Sequence, residues 1–139
     1  MSIHAGVIRL KTKGSGDIVE ITGEVASILK KSGLKAGLLA VFVPGATGAL
    51  TTLEYEPGLV KDFGEMIKKM IPESPEYAHN KSHSDENAHS HLRASLLGPS
   101  LTVPFLNSKM TLGIWQQIIF VDFDNRCRER EIMVQAVGE

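Results

Sequence analysis

The chain has 139 residues, enough for one domain with a sizeable core. Apolar residues make up 42% and charged residues 22%, the balance of a soluble globular protein. Fifteen basic residues against 16 acidic ones give a net charge of −1, which leaves no electrostatic case for a nucleic-acid or anionic-membrane partner.

The single Cys127 excludes an intramolecular disulfide and fits a reducing compartment. The opening MSIHAGVIRLKTK lacks the apolar run of a signal peptide, and no stretch approaches the ~20 apolar residues that span a bilayer. These features set the expectation of one cytoplasmic domain over residues 1–139, with no membrane segment.

Val7 to Lys11 and Asp17 to Ile21 flank Gly14-Ser15-Gly16 and predict a β-hairpin. Thr22 then opens a helix to about Ser32, with Val25, Ile28 and Leu29 on one face and Gly33 as its cap. The apolar run Gly37 to Val43 predicts a buried strand, and Ala49 to Tyr55 its return. Pro57 starts a second helix whose shared face is Val60, Phe63, Met66, Ile67, Met70 and Ile71, ended by Pro72. Strands follow over Leu92–Leu97, Leu101–Phe105, Trp115–Phe123 and Arg130–Val137, with turns at Asn107-Ser108-Lys109 and Asp124-Asn125-Arg126. The order predicts an α+β fold: two main helices on a mixed, largely antiparallel sheet.

Four of the five histidines fall between Tyr77 and Leu92, in YAHNKSHSDENAHSHL. On a strand, His89 and His91 project to the same side and can reach one metal ion. Neutral imidazole suits zinc and several other divalent metals, and a catalytic zinc commonly has three protein ligands. His79 is the obvious third ligand, with His83 and Asp85 behind it, and Asn87 suits an orienting role. The bland alternative is a solvated polar loop, because His-x-His is not a fixed-spacing signature.

Glu54 and Glu56 flank Tyr55 where a strand gives way to a helix, as base, ligand or simple helix start. Arg126, Arg128 and Arg130, with Arg93 and Lys109, suit bidentate phosphate recognition, although alternating charge on an edge strand is the simpler reading. The stretch PGATGALTT lacks the Gly-Lys-Ser/Thr ending of a phosphate loop and reads as a turn with scope for ligand contacts. Cys127 among arginines has a setting that lowers a thiol pKa, against the plainer reading of a turn residue.

Three stretches in order, VFVPGATGALTTLEYEPGLVKDF, YAHN…DENAHSHLRASLLGPSLTVPF and LGIWQQIIFVDFDNRCRER, resemble the YjbQ-like family, whose members are described as secondary thiamine-phosphate synthases. They run from about Leu38 to Arg130, some two-thirds of the chain. The resemblance implies an α+β fold assembling as a homotrimer, with a polar site near subunit boundaries and a divalent metal, zinc first, on His79, His89 and His91. It further marks Glu54, Asp85 and Arg93 as candidate catalytic groups. Asn87, Gln116, Arg126 and Arg128 become candidate contacts to a small phosphorylated molecule. The sequence departs from the family at Gly45, where histidine is usual, and at Cys127, where proline is usual.

The implied reaction joins a hydroxymethylpyrimidine diphosphate to a thiazole phosphate and releases pyrophosphate, a leaving group whose charge a divalent cation and arginines neutralise. Two further readings compete with it. One is metal-assisted hydrolysis with Glu54 or Asp85 positioning a water. The other is a non-catalytic trimer that binds a metal or small ligand.

Overall fold

The computed structural model describes residues 1–139. In chain order the elements are β1 (Ser2–Thr12), β2 (Asp17–Glu20), α1 (Thr22–Ser32), β3 (Ala36–Phe42), β4 (Gly48–Leu53), α2 (Pro57–Met70), α3 (Ala78–Ser82), α4 (Ala88–Leu97), β5 (Ser100–Leu106), β6 (Lys109–Met110), β7 (Gln117–Asp122) and β8 (Arg128–Gly138). They form a five-stranded sheet, β1-β8-β3-β5-β6, and a three-stranded sheet, β2-β7-β4. The fold is α+β as expected, with every pairing antiparallel rather than mixed.

The predicted N-terminal hairpin does not form. β1 pairs with β8 from Ser2↔Gly138 to Thr12↔Arg128, whereas β2 pairs with β7 in the other sheet. Gly14–Gly16 is therefore a corner between sheets, pinned where the Ser15 and Gly16 amides donate to the Asp124 and Asp122 carbonyls. For the same reason β4 does not return beside β3. β8 is an internal strand, not an edge, so alternating charge along its rim cannot explain its arginines.

The main core lies between the sheets. Leu39, Val41, Ile132 and Val134 of the large sheet meet Leu50, Ile118 and Phe120 of the small one, with Val25 and Leu29 of α1 alongside. The opposite face of the small sheet carries Ala49, Ile119, Val121 and Phe123, covered by Ile67 of α2 and Ala94 of α4. Strand β7 is thus buried on both faces, which is why its apolar residues run without alternation.

Helix α2 is held lightly. Ile67 is buried and Val60 and Phe63 half-buried, while Met66 and Met70 of the predicted apolar face stand in solvent. Its first turn is capped by Glu56, whose carboxylate accepts from the Gly58 and Leu59 amides at 2.8 Å each.

The largest departure is at Leu92–Leu97, which is helix α4 and not a strand. Leu92 and Leu96 are four apart on its exposed side, while Ser90, Arg93 and Ala94 face inward. Ala, Leu and Arg favour the helix, and Gly98-Pro99 stops it.

One surface stays uncovered. The outer face of the large sheet carries Ile3, Leu38, Phe42, Leu106 and Met133, each more than a third exposed. The register Phe42↔Met133 and Leu38↔Val137 places them side by side. No helix is long and apolar enough to cross a membrane.

Candidate functional site

Helix α4 decides what the histidines do. Residues two apart on a helix do not face each other. His91 turns toward α3 and meets the His79 ring edge-on, centroids 4.9 Å apart and planes at 70°. His79 in turn stacks on His83 at 4.4 Å and 14°. His89 turns the other way and is buried, its Nε2 3.9 Å from a Glu73 carboxylate oxygen and its Nδ1 without a partner. Burial pulls the His89 imidazole below its ordinary value; Glu73 opposes this, the Arg93 charge adds to it, and Asp124 resists weakly.

A common ion must lie in the plane of each ligating ring, along its nitrogen lone pair. The near-parallel His79 and His83 planes, stacked face to face, do not meet at such a point. His79 Nε2 also lies 3.3 Å from Asn87 Oδ1, an acceptor that calls for a proton on that nitrogen. No group of three or more His, Cys, Asp or Glu side chains is arranged to hold a metal ion. The expected set of His79, His89 and His91 is not brought together, because a helix replaced the strand that would have aligned two of them. As folded, these residues do not fit a zinc site.

Across a cleft of about 170 Å3 from His91 lies the loop between β3 and β4. Gly45, Ala46 and Gly48 line one side, and His91, Ala94 and Ser95 the other. Gly45 has φ +110°, a conformation that excludes other residues without strain. The amides of Gly45, Ala46 and Thr47 donate to no protein acceptor. These N–H groups are free to donate to a bound group or to water.

Behind the loop sits a buried ionic network. Arg130 donates through Nε to Asp122 Oδ2 and through Nη2 to Asp122 Oδ1 and to the Thr47 hydroxyl, each at 2.8 Å. Its Nη1 makes no hydrogen bond, and a Cβ at Gly45 would stand 3.3 Å from it. Arg128 Nη1 donates to Asp124 Oδ2 at 2.5 Å. Burial pushes the Asp124 carboxyl up, but the Arg128 bond and charge, the Asn125 amide and the Thr47 hydroxyl outweigh it and hold it below the usual range.

The other predicted residues are dispersed. Glu54 is exposed after β4, and its carboxylate makes no hydrogen bond. Asp85 is exposed, and it is its backbone carbonyl that accepts from Asn125 Nδ2. Gln116 bridges the Gly113 amide and the Thr52 hydroxyl on another part of the surface. Arg126 is exposed, 3.9 Å from Asp124, and Arg128 is engaged with the same carboxylate. Arg93 is buried on the side of α4 away from His91, donating through Nε to the Ile71 carbonyl. Sequence reasoning passed over Asp122 and Asp124; the signal was two acids alternating with Val121 and Phe123 inside an apolar run.

A family model described as "UPF0047 protein YjbQ-like" matches residues 6–139. A UPF0047 protein of Methanothermobacter thermautotrophicus is 38% identical over 139 residues, covering 100% of this chain and 95% of its own. Another from Archaeoglobus fulgidus is 38% identical over 94% of this chain and 98% of its own. Among solved structures, a YbjQ-like protein of unknown function from Sulfolobus solfataricus superposes with a TM-score of 0.94 at 36% identity, over 99% of both chains.

These relatives carry a family description and no enzymatic name, and one solved relative is called a protein of unknown function. Together with the unassembled metal set, this overturns the expectation of a metal-dependent thiamine-phosphate synthase, and with it the metal-dependent hydrolase and the metal-binding trimer. What the match over residues 6–139 and the end-to-end relatives establish is kinship: the chain belongs to the YjbQ-like, UPF0047 family.

Proposed function

We propose that this cytoplasmic protein takes up a small phosphorylated molecule by its phosphoryl group, in the cleft between the Gly45–Gly48 loop and α4. The observation that carries the reading is the run of three unpartnered amides at Gly45, Ala46 and Thr47. Oriented N–H groups hold phosphate without a full positive charge, as in other backbone nests. His91 and Ser95 line the facing wall and supply further donors. Arg130, already paired with Asp122, keeps its Nη1 free behind the loop as a further donor.

The outer face of the five-stranded sheet supports self-association of the chain, since its apolar residues form one contiguous band. The family resemblance puts the number of copies at three. Light scattering at micromolar concentration checks this, and a monomer there refutes it.

The test of the ligand is calorimetric titration with inorganic phosphate and glycerol phosphate. Wild type binds both saturably, with or without a chelator, and His91→Ala and Ser95→Ala each weaken binding by about three- to tenfold. No saturable binding at millimolar phosphate, or full affinity in both variants, overturns the reading.

A further inference from the structure

On the other side of α4, beneath α2, lies a cavity of about 490 Å3. That is the size of a small-molecule site, about 300–1,000 Å3. Val60, Phe63 and Ile67 of α2 form its roof, and Ile18, Val121 and Phe123 its floor. It is a cleft partly open to solvent, walled by α2 on one side and by the small sheet on the other.

Arg93 closes one end. It is only 5% exposed, its Nε is bonded to the Ile71 carbonyl, and its two terminal nitrogens have no protein acceptor. Those nitrogens are not sealed away, for the buried polar atoms left without partners are His89 Nδ1 and Ser90 Oγ. No carboxylate lies within 4.0 Å of the guanidinium, although Glu73 is near enough for its charge to be felt. Burial lowers the Arg93 pKa, and the charges of Glu73 and Tyr77 oppose the shift. The guanidinium thus has no carboxylate in direct contact.

Lys61 and Lys68 also line the cavity, against Asp17 and Glu65, so three cations face two carboxylates. Asp17 is already engaged, accepting from the Lys13 amide at 2.9 Å. The surplus at the wall is positive while the roof and floor are hydrocarbon.

We infer that this cavity binds a small carboxylic acid with an apolar body, an aryl or medium-chain carboxylate, whose carboxylate pairs with the terminal nitrogens of Arg93 while its hydrocarbon lies between α2 and β7. The site shares no lining residue with the cleft at Gly45, and neither reading depends on the other.

Gly64 supplies a clean test. It lines the cavity, and a Cβ there would meet nothing within 4 Å. Gly64→Leu therefore fills the space while removing a poor helix former. The probe is 3-phenylpropanoate, titrated into the full chain labelled with 15N, alongside its neutral amide. The acid should bind saturably with shifts concentrated in α2 and β7, and the amide about tenfold more weakly. Gly64→Leu should abolish both, and Arg93→Gln should bring acid and amide within about threefold of each other. The inference is overturned by absence of saturable shifts at millimolar acid, by shifts that map elsewhere, by equal affinity for acid and amide, or by a Gly64→Leu protein that binds as wild type does. Should Arg93→Gln not fold, the Gly64→Leu result and the acid–amide comparison decide alone.

Discussion

Asp122 and Arg130 face each other across the join between the two sheets, with Arg130 Nε and Nη2 each 2.8 Å from a different Asp122 oxygen. Both side chains are buried, and the Thr12 hydroxyl donates to the same carboxylate at 2.5 Å. The pair ties β7 of the small sheet to β8 of the large one.

Removing one partner leaves the other charged, buried and alone. Asp122→Ala is therefore expected to cost about 3–5 kcal/mol, far more than the pair itself contributes net. Urea denaturation measures it, and a loss of less than about 1 kcal/mol would show that the network relaxes.

His89 makes stability depend on pH near neutrality. Its folded pKa lies below the unfolded value of about 6.5, so the unfolded chain takes up the proton first. The contribution is complete above that value and is lost as pH falls through the folded one. His89→Gln should flatten the stability profile between neutrality and mildly acid pH; an unchanged slope there would assign it to other groups.

Asp124 acts in the same direction at lower pH. Its folded pKa is depressed, so its contribution is present above about 4 and disappears as pH falls through the folded value. Arg128→Gln removes the strongest favourable contact to that carboxylate and should move acid unfolding to higher pH. Circular dichroism during acid titration reads this directly.

Two glycines predict opposite signs. A Cβ on Gly37 would fall on the Val137 carbonyl oxygen and against Gly138, a backbone contact with no flexible end to give way. Gly37→Ala should destabilise by more than about 2 kcal/mol. Gly64→Ala, in open space within α2, should stabilise by about 0.5–1 kcal/mol. Thermal melts of the two variants on opposite sides of wild type bear this out, and melts on the same side do not.

Much of the fold is legible in residue pattern. Gly37–Val43 and Ile118–Val121 are apolar runs too short for buried helices, and they are strands. Thr22–Ser32 shows its helical face and ends where Gly33 takes the left-handed cap. Pairing was not legible, because a glycine corner between sheets has the same composition as a hairpin turn. Leu92–Leu97 misread as a strand for a related reason: six residues do not separate the two periods, and only the preceding Ala88–His91 reveals the helix.

That one error governs the site. His-x-His aligns two rings on a strand and opposes them on a helix, so the period decided which imidazoles meet. The cluster of His79, His83 and His91 could not be read from spacing, because His79 and His83 arrive on a separate helical turn. Gly45–Thr47 is legible as a turn, yet its free amides depend on the course of the backbone, which no residue type announces.

Because α2 borders an open cleft and commits one buried side chain to the core, its cost of detachment is below that of the strands it covers. Hydrogen exchange should therefore be layered: α2 amides exchange through a local opening, while those of doubly buried β7 wait for the whole molecule to unfold.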